Sequence, residues 1–257
     1  MAIQLTAVII THNEERNIAR CLESLWGIAD EVVVVDSFST DRTQEICTEY
    51  KARFYQRVFD GYSSQKNYGI SLARFPYILS LDADEALTEC LKKDLMRVKE
   101  QGSQDGYRVR RSTNYCGHWI RHGGWYPDIK LRLFDKSKGT WSNHLVHEEV
   151  IMTEGSRVAM LKGSLLHYSY YSVDEHIILS NRYSTLAAEE LYRNGSSFAL
   201  LKMMVKPSVR FIRDYIFRLG FLDGFSGFLI ARITAHATML KYAKLHVLKK
   251  GNTPLTK

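Results

Sequence analysis

Short apolar runs alternate with helix-like patterns along the N-terminal part of the chain. Three of the runs have the length and composition of buried strands. They span Leu5–Ile10, Glu31–Asp36 and Pro76–Leu81. Between them, apolar residues recur at helical spacing from Ile18 to Trp26, and helices are also expected up to Tyr50 and over Tyr62–Ala73. This alternation predicts parallel βαβ units with right-handed crossovers.

The pattern changes after the third run. Strand-like segments at 107–111, 129–134 and 158–166 follow one another without long helices between them, and the chain becomes helical from Val173 onward. The expected fold class is therefore α/β, with a Rossmann-like parallel core and a helical C-terminal appendage. We expect a first domain over 1–170 and a helical region over 171–257.

Polar clusters follow each of the three predicted strands. They lie at 11–15, 36–43 and 82–85. In open parallel sheets, ligands bind at the carboxyl ends of the strands, so these clusters are expected to meet in one site.

Asp82 and Asp84 flank one alanine at the end of the third strand. Alternate residues of a strand point the same way, so both carboxylates can face one side. Such a pair suits Mg²⁺ or Mn²⁺, which keep several waters and take substrate phosphates as further ligands. The alternative is a solvated acidic turn that caps the next helix. An EF-hand loop is disfavoured, because its sixth position would be Leu87 instead of glycine.

Asp36 directly follows the second strand, a place where an acidic residue often binds a ribose hydroxyl or a base edge. The polar residues after it also suit the capping of the next helix. No GxGxxG pattern follows the first strand, so a dinucleotide site of the Rossmann type is not expected.

Composition and charge narrow the class of protein. The chain of 257 residues is 45% hydrophobic and 25% charged, which is typical of a globular protein. Its formal net charge of +7 favours anionic partners such as nucleotides, phosphorylated glycans or acidic lipid, and no nucleic-acid partner is expected. The four cysteines form no CxxC pair, so neither a zinc site nor a disulfide framework is indicated. We expect no signal peptide, because no basic segment precedes the first strand.

In order and spacing, the polar clusters resemble the family 2 glycosyltransferases of the GT-A fold. The segments that carry this resemblance are Thr11–Glu15, Val35–Thr43, Gln65–Asn67, Leu81–Glu85, Lys130–Phe134 and Val146–Glu149. Gly220–Phe225 and the basic, aromatic tail are similar to the lipopolysaccharide core β-1,4-glucosyltransferase subgroup. The resemblance implies a nucleotide-diphosphate sugar donor, with a UDP-sugar as first candidate, a divalent metal, Mn²⁺ or Mg²⁺, and inversion at the anomeric carbon.

The resemblance also implies roles for single residues. Asp36 would hold the uridine or its ribose, Asp84 would ligate the metal, and Asp82 would contact the ribose or the water shell of the metal. Other polar residues assigned to the nucleotide-sugar site are Thr11, Asn13, Glu14 and Ser39. Inverting transfer needs a base for the acceptor hydroxyl. The Glu-Asp pair of many family members is replaced here by His147-Glu148-Glu149. Glu148 matches the base position, and Glu149 and His147 stay as alternatives.

Further residues are candidates for the same site. Lys66 and Arg132 would contact the diphosphate, because cations stabilise the leaving group. His167 ends a strand-like run and is either another metal ligand or a hydrogen-bonded structural residue. Trp125 and Tyr126 would stack on an acceptor sugar, although Trp125 could equally be core.

The C-terminal region combines aromatic and basic residues at helical spacing, from Arg210 to Ile233 and on to Lys250. Charges interrupt every stretch that could span a bilayer, so no transmembrane helix is expected. An interfacial helix on an anionic membrane fits this pattern, and packing on the catalytic domain or a homo-oligomer interface is the alternative. The expected location is cytoplasmic, on the inner face of the cytoplasmic membrane.

These observations favour a hexosyltransferase that acts on a hydroxyl of a lipopolysaccharide-core or other lipid-linked glycan. A polyprenyl-phosphate glycosyltransferase is the nearest alternative and would need less of a base, because its acceptor is already an anion. A nucleotidyltransferase would also use paired carboxylates, but it would usually carry a Gly-rich basic loop, which Thr11–Asn17 is not. A non-catalytic membrane-surface adaptor is the last alternative.

Overall fold

The computed structural model describes residues 3–142 and 149–251. The chain forms two compact units. One contains the residues up to Ser112 together with Asp128–Tyr168, and the other contains Thr113–Pro127 together with the residues from Ser169 onward. The structure thus groups 113–127 with the C-terminal helices, whereas the pattern of the sequence places this segment in the first domain.

A parallel sheet forms the core of the first unit. Its strands are β1 (Leu5–Thr11), β2 (Glu31–Asp36), β3 (Arg53–Gln56) and β4 (Tyr77–Asp82), and its helices are α1 (Ile18–Ser24), α2 (Thr43–Glu49) and α3 (Tyr62–Leu72). β1 pairs in parallel with β2 and β4, and β2 pairs in parallel with β3. The predicted βαβ alternation is confirmed. β3 is an addition that the pattern does not predict, because Arg53–Gln56 is only four residues long and places two aromatic residues between an arginine and a glutamine, without an apolar run.

Antiparallel strands extend this sheet on the β4 side. In the described part of the chain the main sheet has nine strands, in the order β3-β2-β1-β4-β8-β6-β11-β5, with β7 paired to β6; β9 and β10 form a separate two-stranded sheet. The added elements are β5 (Glu85–Leu87), α4 (Glu89–Gln101), β6 (Gly106–Tyr115), β7 (His118–Trp119), β8 (Asp128–Asp135), β9 (Gly139–Trp141), β10 (Val150–Met152) and β11 (Val158–Tyr170). The three later strand-like segments of the sequence are therefore confirmed as β6, β8 and β11.

Close packing on both faces fixes the position of the parallel strands. On one face, α3 approaches β1 and β2 so closely that a Cβ at Gly69 would lie 2.5 Å from Cγ1 of Val8. On the other face, α4 buries Leu91, Leu95 and Val98, which recur at helical spacing. Thr88 is the N-cap of α4, and its side chain accepts a hydrogen bond from the backbone N–H of Leu91.

The second unit is mainly helical. It contains α5 (Val173–Arg193), α6 (Ala199–Ile212), a π-helical turn (Arg213–Phe217), a 3₁₀ turn (Gly220–Asp223) and α7 (Gly224–Lys249). A small core of Ala188, Ala199, Tyr242 and Leu245 joins α5, α6 and α7. Within the described ranges, no helix combines the length and apolar character needed to cross a membrane.

Candidate active site

The three predicted polar clusters meet at one edge of the parallel sheet. In the register of the strands, Thr11 of β1 lies opposite Asp36 of β2, and Ile10 lies opposite Asp82 of β4. Thr11, Asp36 and Asp82 are each the last residue of their strand. The carboxyl ends of three neighbouring strands therefore bring together residues that are about 25 and 70 positions apart in the sequence.

Asp36 organises the two loops at this edge. Its side chain is fully buried. Its Oδ1 accepts a hydrogen bond from the Thr11 hydroxyl at 2.9 Å, and its Oδ2 accepts one from the Ser39 N–H at 2.8 Å. The Ser39 hydroxyl also donates to Oδ1. Thr11 and Ser39 therefore cover the carboxylate, and Asp36 orients both of their side chains. Its contact with a uridine or a ribose stays a prediction.

Asn13 joins the same two loops from the solvent side. It adopts a left-handed conformation, with φ of 56°, which asparagine tolerates better than most residues. Its Oδ1 accepts from the Thr40 N–H at 2.8 Å, and its backbone N–H donates to the Ser39 hydroxyl at 2.8 Å. The loops that follow β1 and β2 are thus held to each other before any ligand binds.

Asp82 lies between two cations. Its Oδ1 is 2.9 Å from Nζ of Lys66, and its Oδ2 is 2.8 Å from an Nη of Arg132. Burial acts to raise the pKa of Asp82, but the charges of Lys66 and Arg132 outweigh it and hold the pKa well below the ordinary value. The two cations that were predicted to contact the diphosphate, Lys66 and Arg132, therefore both lie against the ionised carboxylate of Asp82. Their contact with a diphosphate stays a prediction.

Further charged side chains hold Arg132 in place. Glu85 is fully buried and lies 2.6 Å from Arg132 and 3.3 Å from Arg111. Arg111 also pairs with Asp128 at 2.7 Å. The cluster around Asp82 therefore alternates acid and base, which fixes the cations more firmly than isolated surface pairs would.

Asp84 does not share the partners of Asp82. The chain leaves β4 after Asp82 and turns through Ala83 and Asp84, so the strand alternation that would align the two carboxylates ends there. Asp84 instead lies beside His167, with 3.2 Å between Oδ2 and Nε2. The pairing of β11 with β5 places His167, because it aligns His167 with Glu85, and the Tyr168 N–H donates to the Asp84 carbonyl at 2.9 Å.

The donor set around Asp84 suits the implied metal. One carboxylate oxygen and one imidazole nitrogen leave most of a Mn²⁺ or Mg²⁺ coordination shell for phosphate oxygens and water, which is how these ions usually bind with nucleotides. Among the described residues, no group of three or more His, Cys, Asp or Glu side chains forms a complete metal site.

Glu14, which feels the charges of Asp82 and Asp84, has a shifted pKa. Burial raises its pKa to about 7; the hydrogen bond from the Asn17 amide opposes this shift, and the charges of Asp84, Asp41 and Asp82 add to it. Near neutral pH, Glu14 is therefore a mixture of carboxylate and carboxylic acid.

This pKa predicts a pH-dependent stability. Because the folded pKa lies above the ordinary value of 4.5, the native state holds more protons than the unfolded state between about pH 4.5 and 7. The free energy of unfolding therefore falls as the pH rises through that window. Glu14→Gln, which keeps a hydrogen-bond acceptor for Asn17, should be more stable than the parent by about 1–3 kcal/mol at pH 8 and equal to it at pH 4. Urea unfolding in EDTA measures this difference, and equal stabilities at pH 8 would contradict it.

Trp141 lies beside the cluster around Asp82, although no pattern in the sequence singled it out. Asn67 holds the backbone of Trp141 on both sides, since its Nδ2 donates to the Trp141 carbonyl and its Oδ1 accepts from the Trp141 N–H, each at 3.0 Å. Nζ of Lys66 lies 4.2 Å from the centroid of the indole ring. Gln65 donates to the Ser37 hydroxyl at 3.0 Å. The motif Gln65-Lys66-Asn67 was the sequence signal for this arrangement. Its three successive residues contact Ser37, Asp82 and Trp141 in turn.

Two buried N–H donors in this region have no hydrogen-bond partner among the described residues: Nε of Arg132 and Nε1 of Trp141. Buried donors normally find an acceptor, and an unpaired donor costs about 1–3 kcal/mol. Donors next to Lys66 suit the oxygens of an anionic ligand, which is the kind of group that a sugar diphosphate would supply.

The predicted base, Glu148, and its alternative His147 lie outside the described residues. Glu149 is described and exposed, and its carbonyl accepts from the Ser142 N–H at 2.9 Å. The assignment of the base therefore stays a prediction from the sequence.

The two predicted acceptor-binding aromatics belong to the second unit. Trp125 stacks on Tyr170 with ring centroids 5.5 Å apart and packs edge-on against Tyr115 at 5.7 Å. It also touches His176, whose pKa burial lowers to about 4. Trp125 is thus part of a packed aromatic cluster, which agrees with the alternative prediction that it belongs to a core. Tyr126 beside it is partly exposed. Their contact with an acceptor stays a prediction.

Comparison with known proteins shows which family this chain resembles. The family model described as glycosyl transferase family 2 matches residues 6–153. The lipopolysaccharide core biosynthesis glycosyltransferase LpsC of Rhizobium meliloti is 33% identical over 258 residues, which cover 96% of this chain and 94% of LpsC. An uncharacterized glycosyltransferase of Rickettsia typhi is 30% identical, with 95% of this chain and 87% of the relative covered. The solved structure of S. aureus TarS 1–349 in complex with UDP-GlcNAc has a TM-score of 0.47 at 15% identity, covering 97% of this chain and 93% of that chain.

The parallel sheet with its polar carboxyl edge and the matches along most of the chain define a sugar-transferring enzyme. The chain belongs to glycosyltransferase family 2. The resemblance in the sequence is thereby confirmed, and so is the expected fold, a GT-A α/β domain with C-terminal helices.

Proposed function

We propose that this glycosyltransferase is metal-dependent and inverting, and that it moves a hexose from a UDP-sugar to a hydroxyl of a lipopolysaccharide-core or other lipid-linked glycan. One observation carries the proposal: the Asp36 loops, the Lys66–Asp82–Arg132 cluster and the Asp84–His167 pair lie together at the carboxyl edge of one parallel sheet. That edge offers places for a nucleoside, for its diphosphate and for a cation bound to the diphosphate.

The residues divide the work of binding the donor. Thr11 and Ser39, oriented by Asp36, would face the nucleoside. Lys66 and Arg132, together with the unpaired Nε of Arg132, would face the diphosphate. Asp84 and His167 would hold Mn²⁺ or Mg²⁺, and such an ion neutralises the charge that develops on the departing diphosphate. Glu148 would take the proton of the acceptor hydroxyl.

The acceptor is inferred from a relative of this chain. LpsC, which is similar to this chain along nearly its whole length, is a lipopolysaccharide core biosynthesis glycosyltransferase. The enzyme would find a lipid-attached glycan at a membrane, and it would find a nucleotide-sugar donor on the cytoplasmic side of that membrane. We therefore place the reaction on the inner face of the cytoplasmic membrane.

A donor screen tests the proposed activity. The purified protein is given a panel of nucleotide sugars with Mn²⁺ and a deacylated lipopolysaccharide-core oligosaccharide, and the released nucleoside diphosphate is measured. We expect release with one or a few UDP-hexoses and a product of inverted anomeric configuration by NMR. Release with a GDP- or nucleoside-monophosphate-linked sugar alone would contradict the UDP assignment, and retained configuration would contradict inversion.

Replacing Asp36 tests the nucleoside end of the site. Asp36→Asn keeps the shape but weakens the hydrogen bonds that orient Thr11 and Ser39. Bonds to a charged group contribute about 1.5–3 kcal/mol, so UDP should bind about 10–100 times more weakly by calorimetry. Asp135→Asn is the control, because Asp135 pairs with Tyr77 at the opposite end of β4. UDP affinity that stays unchanged in Asp36→Asn would remove this residue from the site.

A further inference from the structure

The second unit exposes an unusual series of large apolar side chains between Phe198 and Phe228. Met204, Phe217 and Phe225 are 72%, 77% and 74% exposed, and Phe198 is 75% exposed. On α6, the exposed Leu201, Met204, Val205 and Ile212 recur at helical spacing and so lie along one face. Scattered exposed apolar residues are normal, but a continuous series of them marks a surface that binds a protein or a membrane.

The charges within this segment have one sign on the surface. From Phe198 to Phe228 the sequence contains five basic residues and two acids. The basic residues are Lys202, Lys206, Arg210, Arg213 and Arg218. The two acids, Asp214 and Asp223, are both buried. The solvent-facing charge is therefore positive throughout, and it lies beside the apolar face.

The buried acids hold the apolar turns in position. Asp214 accepts hydrogen bonds from Nε of Arg210 and from Nε of Arg213, at 2.5 and 2.8 Å. Asp223 accepts from the backbone N–H groups of Arg121 and His122, at 3.1 and 2.8 Å. The two buried acids thus make polar contacts on the inner side of the segment, while Phe217 and Phe225 stay exposed on its outer side.

We propose that this basic apolar surface, residues 198–228, is a docking surface for an anionic lipid bilayer. Apolar side chains enter the interface while lysine and arginine contact acidic headgroups, as in helices that lie in the membrane plane. A second copy of the chain is the less suitable occupant, because two such positive surfaces would repel each other. The proposal does not depend on the sugar donor or acceptor, since binding to vesicles requires neither.

Vesicle sedimentation with the full chain tests it. The probes are vesicles of phosphatidylcholine alone and of phosphatidylcholine with 30% phosphatidylglycerol, a composition chosen to be about as acidic as a bacterial inner leaflet. We expect binding to the acidic vesicles only, weakened by salt. Phe217→Ser with Phe225→Ser should weaken that binding at least about tenfold, because two exposed aromatic anchors are lost. Lys206→Gln with Arg218→Gln should weaken it and flatten the salt dependence.

Trp26→Ser is the matched control, because Trp26 is 80% exposed but lies in the first unit; its binding should equal that of the parent. Circular dichroism checks that each variant is folded. If the Phe217/Phe225 variant binds acidic vesicles as well as the parent does, the proposal is wrong. It is also wrong if the parent ignores acidic vesicles at low salt; a dimer that the Phe217/Phe225 variant dissociates would then identify the surface as a subunit interface.

Discussion

Asp84→Ala should abolish sugar transfer without unfolding the protein. The substitution removes the carboxylate that lies 3.2 Å from His167 and leaves only the imidazole to hold a cation. Because a bound metal typically contributes several kcal/mol to the stabilisation of developing charge, transfer should fall by about three decades or more. The fold should survive, since the contact that fixes Asp84 runs through its carbonyl, which alanine retains. Loss of a like charge next to the partly protonated Glu14 also favours the folded state.

The measurement pairs a transfer assay with Mn²⁺ binding by electron paramagnetic resonance in the presence of UDP. Asp174→Ala, an exposed acid in the first turn of α5, serves as control and should keep both properties. Treatment of the parent with EDTA should reproduce the Asp84→Ala result, and added Mn²⁺ or Mg²⁺ should restore the parent only. Full activity in a metal-free preparation would contradict the assignment of the metal to this family member.

Glu148→Gln should reduce turnover by about two to four decades while UDP-sugar still binds. The acceptor hydroxyl is a poor nucleophile, and a positioned carboxylate typically supplies about 10²–10⁴-fold in such a step. Glutamine has the same size and accepts hydrogen bonds, but it takes up no proton at neutral pH. Donor affinity should change little, because the residues that would hold the donor lie at the edge formed by Asp36, Lys66 and Asp84.

Glu149→Gln is the matched control, one residue further along the same chain segment, and its effect should be much milder. UDP calorimetry and a transfer assay on both variants separate the outcomes. If Glu149→Gln is the inactive variant, the base is misassigned by one residue. If neither variant loses turnover, an acceptor that is already anionic, such as a polyprenyl phosphate, becomes the better interpretation.

The sequence predicted the parallel core well because its signals there are local. The apolar run Glu31–Asp36 coincides with β2, and the polar clusters mark the strand ends at which the site forms. Two further elements of the first unit, β3 and β5, were not predicted. They are four and three residues long, too short for any period to show, and their neighbours in the sheet define them.

The detail of the site depends on contacts that no local pattern contains. His167 and Asp84 are 83 positions apart and meet because β11 pairs with β5. Strand alternation predicted that Asp82 and Asp84 face the same side. The chain instead turns after Asp82, and Lys66 and Arg132 contact the carboxylate of Asp82. The position of Trp141 likewise depends on Asn67, which lies on a distant helix.

The burial of Asp36 has a consequence for anyone who wishes to redesign the donor preference of this enzyme. A residue with no exposed surface and three hydrogen bonds belongs to the structural core of the two loops, so replacing it would disturb the loops themselves. Libraries that aim at a new donor should therefore keep Asp36 and the loop-bridging Asn13 constant and vary exposed positions around them, such as Thr40.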